Sequence, residues 1–339
     1  MRASTFLGDH TFAVREVPVP VPGPGEVVIR NAFCGVCGTD VHIYHGEPGS
    51  ADVNPPVVLG HEYSGVVEAV GEGVTALKPG DHVTVDPNIY CGGCEYCRNG
   101  KKQLCEHMEA IGVTRDGGFA EYSLVPAAQA FLLDPALPLE FGAMAEPVAC
   151  CIHGIDRARI KPGDTVCIVG GGAIGLIMVQ LARLAGAASL ILSEPNALRR
   201  KAGLKLGADL AIDPTAPDYL EQFTGFAGAG ADVVIECVGN NPAVKSAFEF
   251  AKKGATLVLF SVPKVDAQFP LPLFDLYKKE LTVKGSFVNP DTHLRAVALL
   301  NAGLLDFEPI ITHRFGLDRL PEAIAMQMSS ESIKVIVEA

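Results

Sequence analysis

Four cysteines within fifteen residues, Cys91, Cys94, Cys97 and Cys105, constrain this chain more than any other feature. Four thiolates at such short spacings can turn around one ion and close a tetrahedral zinc site. Gly92, Gly93 and Gly100 supply the turns that a metal loop needs. Disulfides this dense belong to small secreted domains, whereas this chain has 339 residues and 48% hydrophobic content, enough for two full cores. A site with four protein ligands has no open coordination position. It predicts a folded lobe and places the chemistry elsewhere.

The formal net charge of -12 and the pI near 5.2 argue against nucleic acid or an anionic membrane as partner. Met1–His10 contains no apolar stretch of signal-peptide length, so a cytoplasmic location is expected. Ten cysteines in an unexported chain fit a reducing compartment with thiols free for metal. Cys34, Cys150, Cys151, Cys167 and Cys237 sit among apolar neighbours and are expected to pack as small hydrophobes. Residues 166–186 are almost continuously apolar, near the length of a membrane span. The three glycines at 170–172 and Arg183 instead predict a buried strand, a tight turn and a buried helix.

Residues 1 to about 150 read as β-rich, with short runs at 26–32, 63–70 and 82–86 between Pro/Gly turns at 22–25, 78–81 and 117–118. Many short strands with few long helices suggest a partly closed barrel. From Asp164 strands and helices alternate. Strands are predicted at 165–169, 188–193, 231–237 and 255–260, and helices at 174–185, 197–206 and 241–251. That alternation is the mark of a parallel sheet with crossover helices. A helix at 293–302 and a final strand at 333–338 are expected to pack back on the first domain. The predicted division is therefore 1–150 completed by about 288–339, with 151–287 as the nucleotide domain.

Gly170, Gly172 and Gly175 fit Gly-x-Gly-x-x-Gly, a weak pattern unless it joins a strand to a helix, as here. Gly170 permits the turn, Gly172 lets a pyrophosphate approach the backbone, and Gly175 lets helix and strand pack. The helix amino terminus then offers N–H groups to the phosphates. Nineteen residues beyond Gly175, Glu194 can accept from both ribose hydroxyls and would repel a 2′-phosphate. This favours NAD over NADP. Arg199 and Arg200 are the nearby cations that could in principle accept that phosphate.

A second cluster joins Cys37 to His61 and Glu62, although 24 residues separate Cys37 from His61. Three protein ligands plus a water is how catalytic zinc differs from structural zinc. Glu146 could ligate the ion or hold its water, and Asp40 is placed to orient a ligand. Spacing alone leaves open whether Glu62 and Glu146 bind the ion or stand beside it.

Taken in order, Cys-Gly-Thr-Asp-x-His (37–42), Gly-His-Glu (60–62), Gly-Asp-x-Val (80–83), the four-cysteine lobe, Gly-Gly-Phe-Ala-Glu-Tyr (117–122), Glu-Pro-Val (146–148) and Gly-Gly-Gly-Ala-Ile-Gly (170–175) resemble the zinc-containing medium-chain alcohol dehydrogenase family. The resemblance covers essentially the whole chain. It is nearest the branch of sorbitol and other polyol, butanediol and threonine dehydrogenases, which both Glu62 and the Glu146-Pro147 pair resemble, whereas ethanol-type enzymes place a cysteine as third protein ligand. It implies a GroES-like β-rich catalytic domain, a Rossmann domain, one catalytic and one structural zinc, NAD, and a homotetramer or homodimer. It implies hydride transfer from a secondary alcohol, a polyol giving a ketose, with L-threonine or 2,3-butanediol as the alternative substrates. Thr39 and His42 match the family's proton relay, and Glu146 a carboxylate near the ion. Cofactor contacts are implied for Gly172, Ile174, Glu194 and Arg199, with Val238, Gly239, Phe260, Val262, Ser286 and Phe287 near the nicotinamide. Sorbitol dehydrogenases resemble one another in an arginine near Val288. Here the segment lacks it, and Asn289 is expected to take part of its role in gripping substrate hydroxyls.

Overall fold

The computed structural model describes residues 1–47 and 51–339. The chain divides into two compact units, Met1–Ala149 with Asn289–Ala339, and Cys150–Val288.

The first unit is built around the strand Glu26–Gly35, whose β-branched Val27, Val28 and Ile29 are fully buried. This strand changes partners along its length. Its first half pairs with Tyr122–Pro126, its whole length with Glu62–Val70, and its end with Lys334–Glu338. Two register shifts against Glu62–Val70 bend it, as bulges do at the rims of barrels. The late segment thus completes the unit as an extension of its main sheet. Ile311–Gly316 runs parallel to Lys334–Glu338, and Leu317, Leu320, Val335 and Val337 join Val27, Ile29, Tyr63 and Phe119 in one core. Each such fully buried aliphatic side chain contributes about 1.5–3 kcal/mol.

Asn289, expected to grip substrate hydroxyls, has its side chain engaged within the fold. It is fully buried, accepts from the Asn88 amide and donates to Asp86 Oδ1 at 3.2 Å, so both ends of its side chain are committed to packing. Burial raises the Asp86 carboxyl to about 6, against the hydrogen bonds from Asn88 and Asn289.

The second unit is a six-stranded parallel sheet. Its strands lie in the order Leu210–Ile212, Ser189–Ser193, Thr165–Val169, Ala231–Glu236, Ala251–Leu259 and Thr282–Gly285. The chain begins at Thr165–Val169, winds one way for two strands, then returns and winds the other way. The switch therefore falls between Thr165–Val169 and Ala231–Glu236, where open α/β sheets bind ligands beyond their carboxyl ends. Helices Ala173–Leu184, Ala197–Lys205 and Asn241–Phe250 lie within a residue of their predicted bounds.

The strand Leu210–Ile212 and the helices Tyr219–Ala227, Leu273–Lys279 and Ala145–Ala158 have no counterpart in the sequence reading. A three-residue strand carries too little periodicity to be seen. Gly154 sits inside a helix because a Cβ there would strike Met178 and Phe260. The apolar stretch at 166–186 resolves into a strand and a helix of twelve residues, and no helix among the described residues is long and apolar enough to cross a membrane.

Candidate functional site

The four-cysteine lobe closes on itself. All ten cysteines carry free thiols, and the sulfurs of Cys91, Cys94, Cys97 and Cys105 lie within 4.8 Å of one another. Cys91 and Cys97 sulfurs are 4.0 Å apart, against about 3.8 Å expected between two thiolates on tetrahedral zinc. Gly92 and Gly100, both at φ +69°, turn the loop where a Cβ would be strained. Backbone N–H groups point at the sulfurs: Cys94 N–H at Cys91 Sγ (3.4 Å), Cys97 N–H at Cys94 Sγ (3.5 Å) and Cys91 N–H at Cys105 Sγ (3.4 Å). Such donors favour the thiolate, and N–H groups from Cys97 and Glu106 lower Cys94 to about 6.

The second cluster is gathered from distant strand ends. Cys37 caps the helix Gly38–Tyr44, its N–H donating to Asp40 Oδ2 at 2.8 Å while its sulfur accepts the Asp40 N–H. Gly60, at φ +96°, makes the turn that delivers His61 and Glu62, and a Cβ there would lie 2.7 Å from Cys34 Sγ and 2.9 Å from the Phe119 ring. One ligand atom each from Cys37, His61 and Glu62 falls within a 4.8 Å circle, with His61 and Glu62 buried. Glu146, in the first turn of Ala145–Ala158, is also buried but stands outside that trio. It reaches His61 through its charge.

This pocket demands positive charge. Burial opposes an imidazolium at His61, yet Asp40, Cys37 and Glu146 outweigh it and hold the ring well above its ordinary value. Asp40 is fully buried, and its Oδ1 faces His61 Nδ1 at 3.7 Å, both atoms lacking a hydrogen-bond partner. A soft thiolate, an imidazole and a carboxylate surrounded by further acid are a donor set that a divalent ion satisfies.

Lys334 is the residue that the sequence reading missed. It is 3% exposed, donates to Val36 O at 3.0 Å and ion-pairs with Glu62. Burial opposes its charge, but Glu62, Cys37 and Asp40 raise the ammonium above its ordinary range. Gly35 makes room, since a Cβ there would strike Glu62 and Lys334. The available signal was a lone lysine inside the apolar run Ile333–Val337. Glu47 was missed as well. Its Oε2 lies 2.5 Å from Nδ1 of half-buried His42, in the last turn of the helix that carries half-buried Thr39.

In the second unit Gly170 turns at φ +101°, and a Cβ on Gly175 would collide with the Gly170 carbonyl. Gly172 opens Ala173–Leu184 with nothing within 4 Å of its missing side chain, leaving room for a ligand to meet the backbone. Glu194 is buried, Oε2 accepting from Gly171 N–H at 2.6 Å and Oε1 from Asn196 N–H at 2.8 Å. Arg200 is spent on the carbonyls of Glu194 and Pro195 and on Asp213 at 3.0 Å. Ile174 and Arg199 are half-buried nearby in sequence. Val238, Val262 and Phe287 are exposed, whereas Gly239, Phe260 and Ser286 are half-buried.

The profile of the alcohol dehydrogenase GroES-like domain matches residues 23–135, and that of zinc-binding dehydrogenases residues 173–302. A sorbitol dehydrogenase of Halalkalibacterium halodurans is 36% identical over 98% of this chain and 97% of its own. An L-threonine 3-dehydrogenase of Symbiobacterium thermophilum is 35% identical over 96% of this chain and 93% of its own. The chain belongs to the zinc-dependent alcohol dehydrogenase family.

Among solved members, a zinc-binding dehydrogenase from Sinorhizobium meliloti 1021 bound to NADP superposes with a TM-score of 0.94. It shares 42% identity across all of this chain and 99% of that one. As a member of this family the chain is a zinc-dependent, NAD(P)-linked dehydrogenase with GroES-like and Rossmann domains. Its Cys37 trio has the donor chemistry for zinc, and its cysteine lobe has the sulfur spacing for a second ion.

Proposed function

We propose that this chain oxidises a secondary alcohol of the polyol class to a ketose with NAD as hydride acceptor. Cys37, His61 and Glu62 hold the catalytic zinc in this reading, and the four-cysteine lobe holds a structural one. The carrying observation is the convergence of a thiolate, an imidazole and a carboxylate in a buried, acid-lined pocket. Zinc held there would supply Lewis acidity at an alcohol oxygen, and the nicotinamide a hydride acceptor.

The side chains do the rest. Asp40 fixes the Cys37 turn and faces the His61 ring, so two donors keep their orientation. Lys334 restrains Glu62 by its ion pair. Thr39 takes the proton leaving the substrate hydroxyl, and His42, held by Glu47, carries it toward solvent. Glu146, outside the trio, orders a water beside it. Glu194 supports NAD over NADP, because its buried carboxylate faces the glycine turn while Arg200 is already occupied.

Relatives named sorbitol dehydrogenase and L-threonine 3-dehydrogenase stand at nearly equal identity. L-Threonine or 2,3-butanediol is therefore the second reading, and the burial of Asn289 favours a substrate other than sorbitol itself. A panel of C4–C6 polyols, L-threonine and 2,3-butanediol with NAD and NADP decides it. A polyol turned over with NAD at a tenfold or greater advantage in kcat/KM supports the proposal, and L-threonine or butanediol as preferred substrate overturns the polyol assignment.

Two further features complete the reading. Leu273, Phe274 and Tyr277 on Leu273–Lys279 are 70%, 68% and 81% exposed, and Thr282–Gly285 is the edge of its sheet. An apolar helix beside an open strand edge supports a second copy of the chain as partner, in a homodimer or homotetramer. Ten free thiols support a reducing, cytoplasmic location.

A further inference from the structure

Glu236 ends the strand Ala231–Glu236 and is 1% exposed, yet nothing in the chemistry above uses it. Its carboxylate collects three donors from two separate segments. Oε1 accepts the N–H groups of Val238 (2.6 Å) and Gly239 (2.8 Å), and Oε2 accepts the Ser261 hydroxyl at 2.5 Å. Its own carbonyl accepts from Phe260 N–H (2.9 Å) and Ser261 N–H (3.3 Å). The loop after Ala231–Glu236 and the loop after Ala251–Leu259 are thus tied through one residue. They fit closely: Gly239 turns at φ +86°, and a Cβ there would lie 3.3 Å from Ser261 and from the Val262 carbonyl. Val238 and Val262 project outward, 45% and 63% exposed.

Among the described residues no Lys or Arg pairs with Glu236. A buried carboxylate without a cation is costly where only packing is needed, but its several acceptor sites suit three converging donors. The topology says what the tied loops face. A dinucleotide lies across the switch point, with its pyrophosphate at the Gly170–Gly175 turn. Glu194, at the end of Ser189–Ser193, takes the adenosine ribose on one side. The other nucleoside must lie over the ends of Ala231–Glu236 and Ala251–Leu259.

We propose that Glu236 is a positioning residue that holds the Val238–Gly239 and Phe260–Val262 segments as one wall for the nicotinamide half of the cofactor. This rests on the dinucleotide reading of the preceding section. The test compares NADH, followed by its fluorescence, with ADP-ribose, which lacks the nicotinamide, followed by calorimetry. Glu236→Ala is expected to weaken NADH about tenfold or more, with ADP-ribose within about twofold of wild type. Equal weakening of both ligands, as a general loosening of the domain would give, overturns the proposal, and so does unchanged NADH affinity. If Glu236→Ala does not fold, Ser261→Ala removes one of the three bonds. It should weaken NADH about threefold and leave ADP-ribose unchanged, and unaltered NADH binding by that variant overturns the proposal equally. Wild-type protein that binds neither ligand would remove the dinucleotide reading itself before any variant is compared.

Discussion

The two candidate metal clusters of this chain are built on opposite plans. The Cys91–Cys105 lobe takes four identical soft ligands from fifteen consecutive residues, satisfies its sulfurs with its own N–H groups and keeps Cys91 exposed. The Cys37 cluster takes three different ligands from two distant strand ends and buries two of them beside Asp40, Glu146 and Lys334. The first plan leaves nothing for a substrate to bind. The second, in the proposed reading, leaves a coordination position open beside buried Asp40, Glu146 and Lys334. On the proposed function, the local and saturated cluster serves structure and the long-range, unsaturated one serves chemistry.

The sharpest way to break this contrast is to remove one sulfur from each cluster. Cys37→Ser should lower turnover about a thousandfold or more and leave the thermal midpoint near wild type. Cys94→Ser should lower the midpoint by about 5 °C or more, with turnover per folded chain held within about threefold. Steady-state assays paired with thermal melts check both, and the reverse pattern would exchange the roles of the clusters.

A smaller but more diagnostic effect concerns Lys334. Lys334→Met removes the ammonium paired with buried Glu62 and should cost about 3–5 kcal/mol in urea unfolding of the zinc-free protein. Adding Glu62→Gln should restore part of that loss, giving a coupling of about 1–3 kcal/mol. Additive losses would mean that the pair does not tie the site to the core. Among the described residues no buried ion pair supports the cysteine lobe, so the same cycle there should show none.

Acid acts more gradually than either substitution and separates metal loss from fold loss. Burial pushes His293 down to about 3 from its ordinary 6.5, and neither ring nitrogen has a hydrogen-bond partner. The unfolded chain takes up a proton near pH 6.5 that the folded chain refuses until about pH 3. Stability therefore falls as pH drops through that window, by at most about 1.4 kcal/mol per pH unit. His293→Leu should flatten the slope of urea midpoints measured from pH 7 to pH 4. An unchanged slope would show that His293 does not carry the acid lability.

The same contrast explains what was legible in the sequence. Cys91 to Cys105 and Gly170 to Gly175 announce themselves because each works within one loop, where spacing is geometry. The trio at Cys37, His61 and Glu62 is suggested by its residue types but left ambiguous by spacing, since nothing in a 24-residue separation shows that Gly60 turns the second segment toward the first. Lys334 shows in the sequence only as a lone lysine in an apolar run, because its partner lies 272 residues away. Asn289 looks available as a polar residue after a glycine-rich segment, and only the fold reveals that Asn88 and Asp86 engage its side chain. The helix Ala145–Ala158 hid behind Pro147, Gly154 and a β-rich preamble, although proline suits a first helical turn.

The central claim is that the Cys37 cluster holds an ion of its own, distinct from the one in the cysteine lobe. Zinc counted per chain by plasma emission spectrometry tests it directly, in wild-type protein and in Cys37→Ser purified alongside. Two ions in the wild type and one in the variant are predicted. One ion in the wild type, or two in both, would contradict the account.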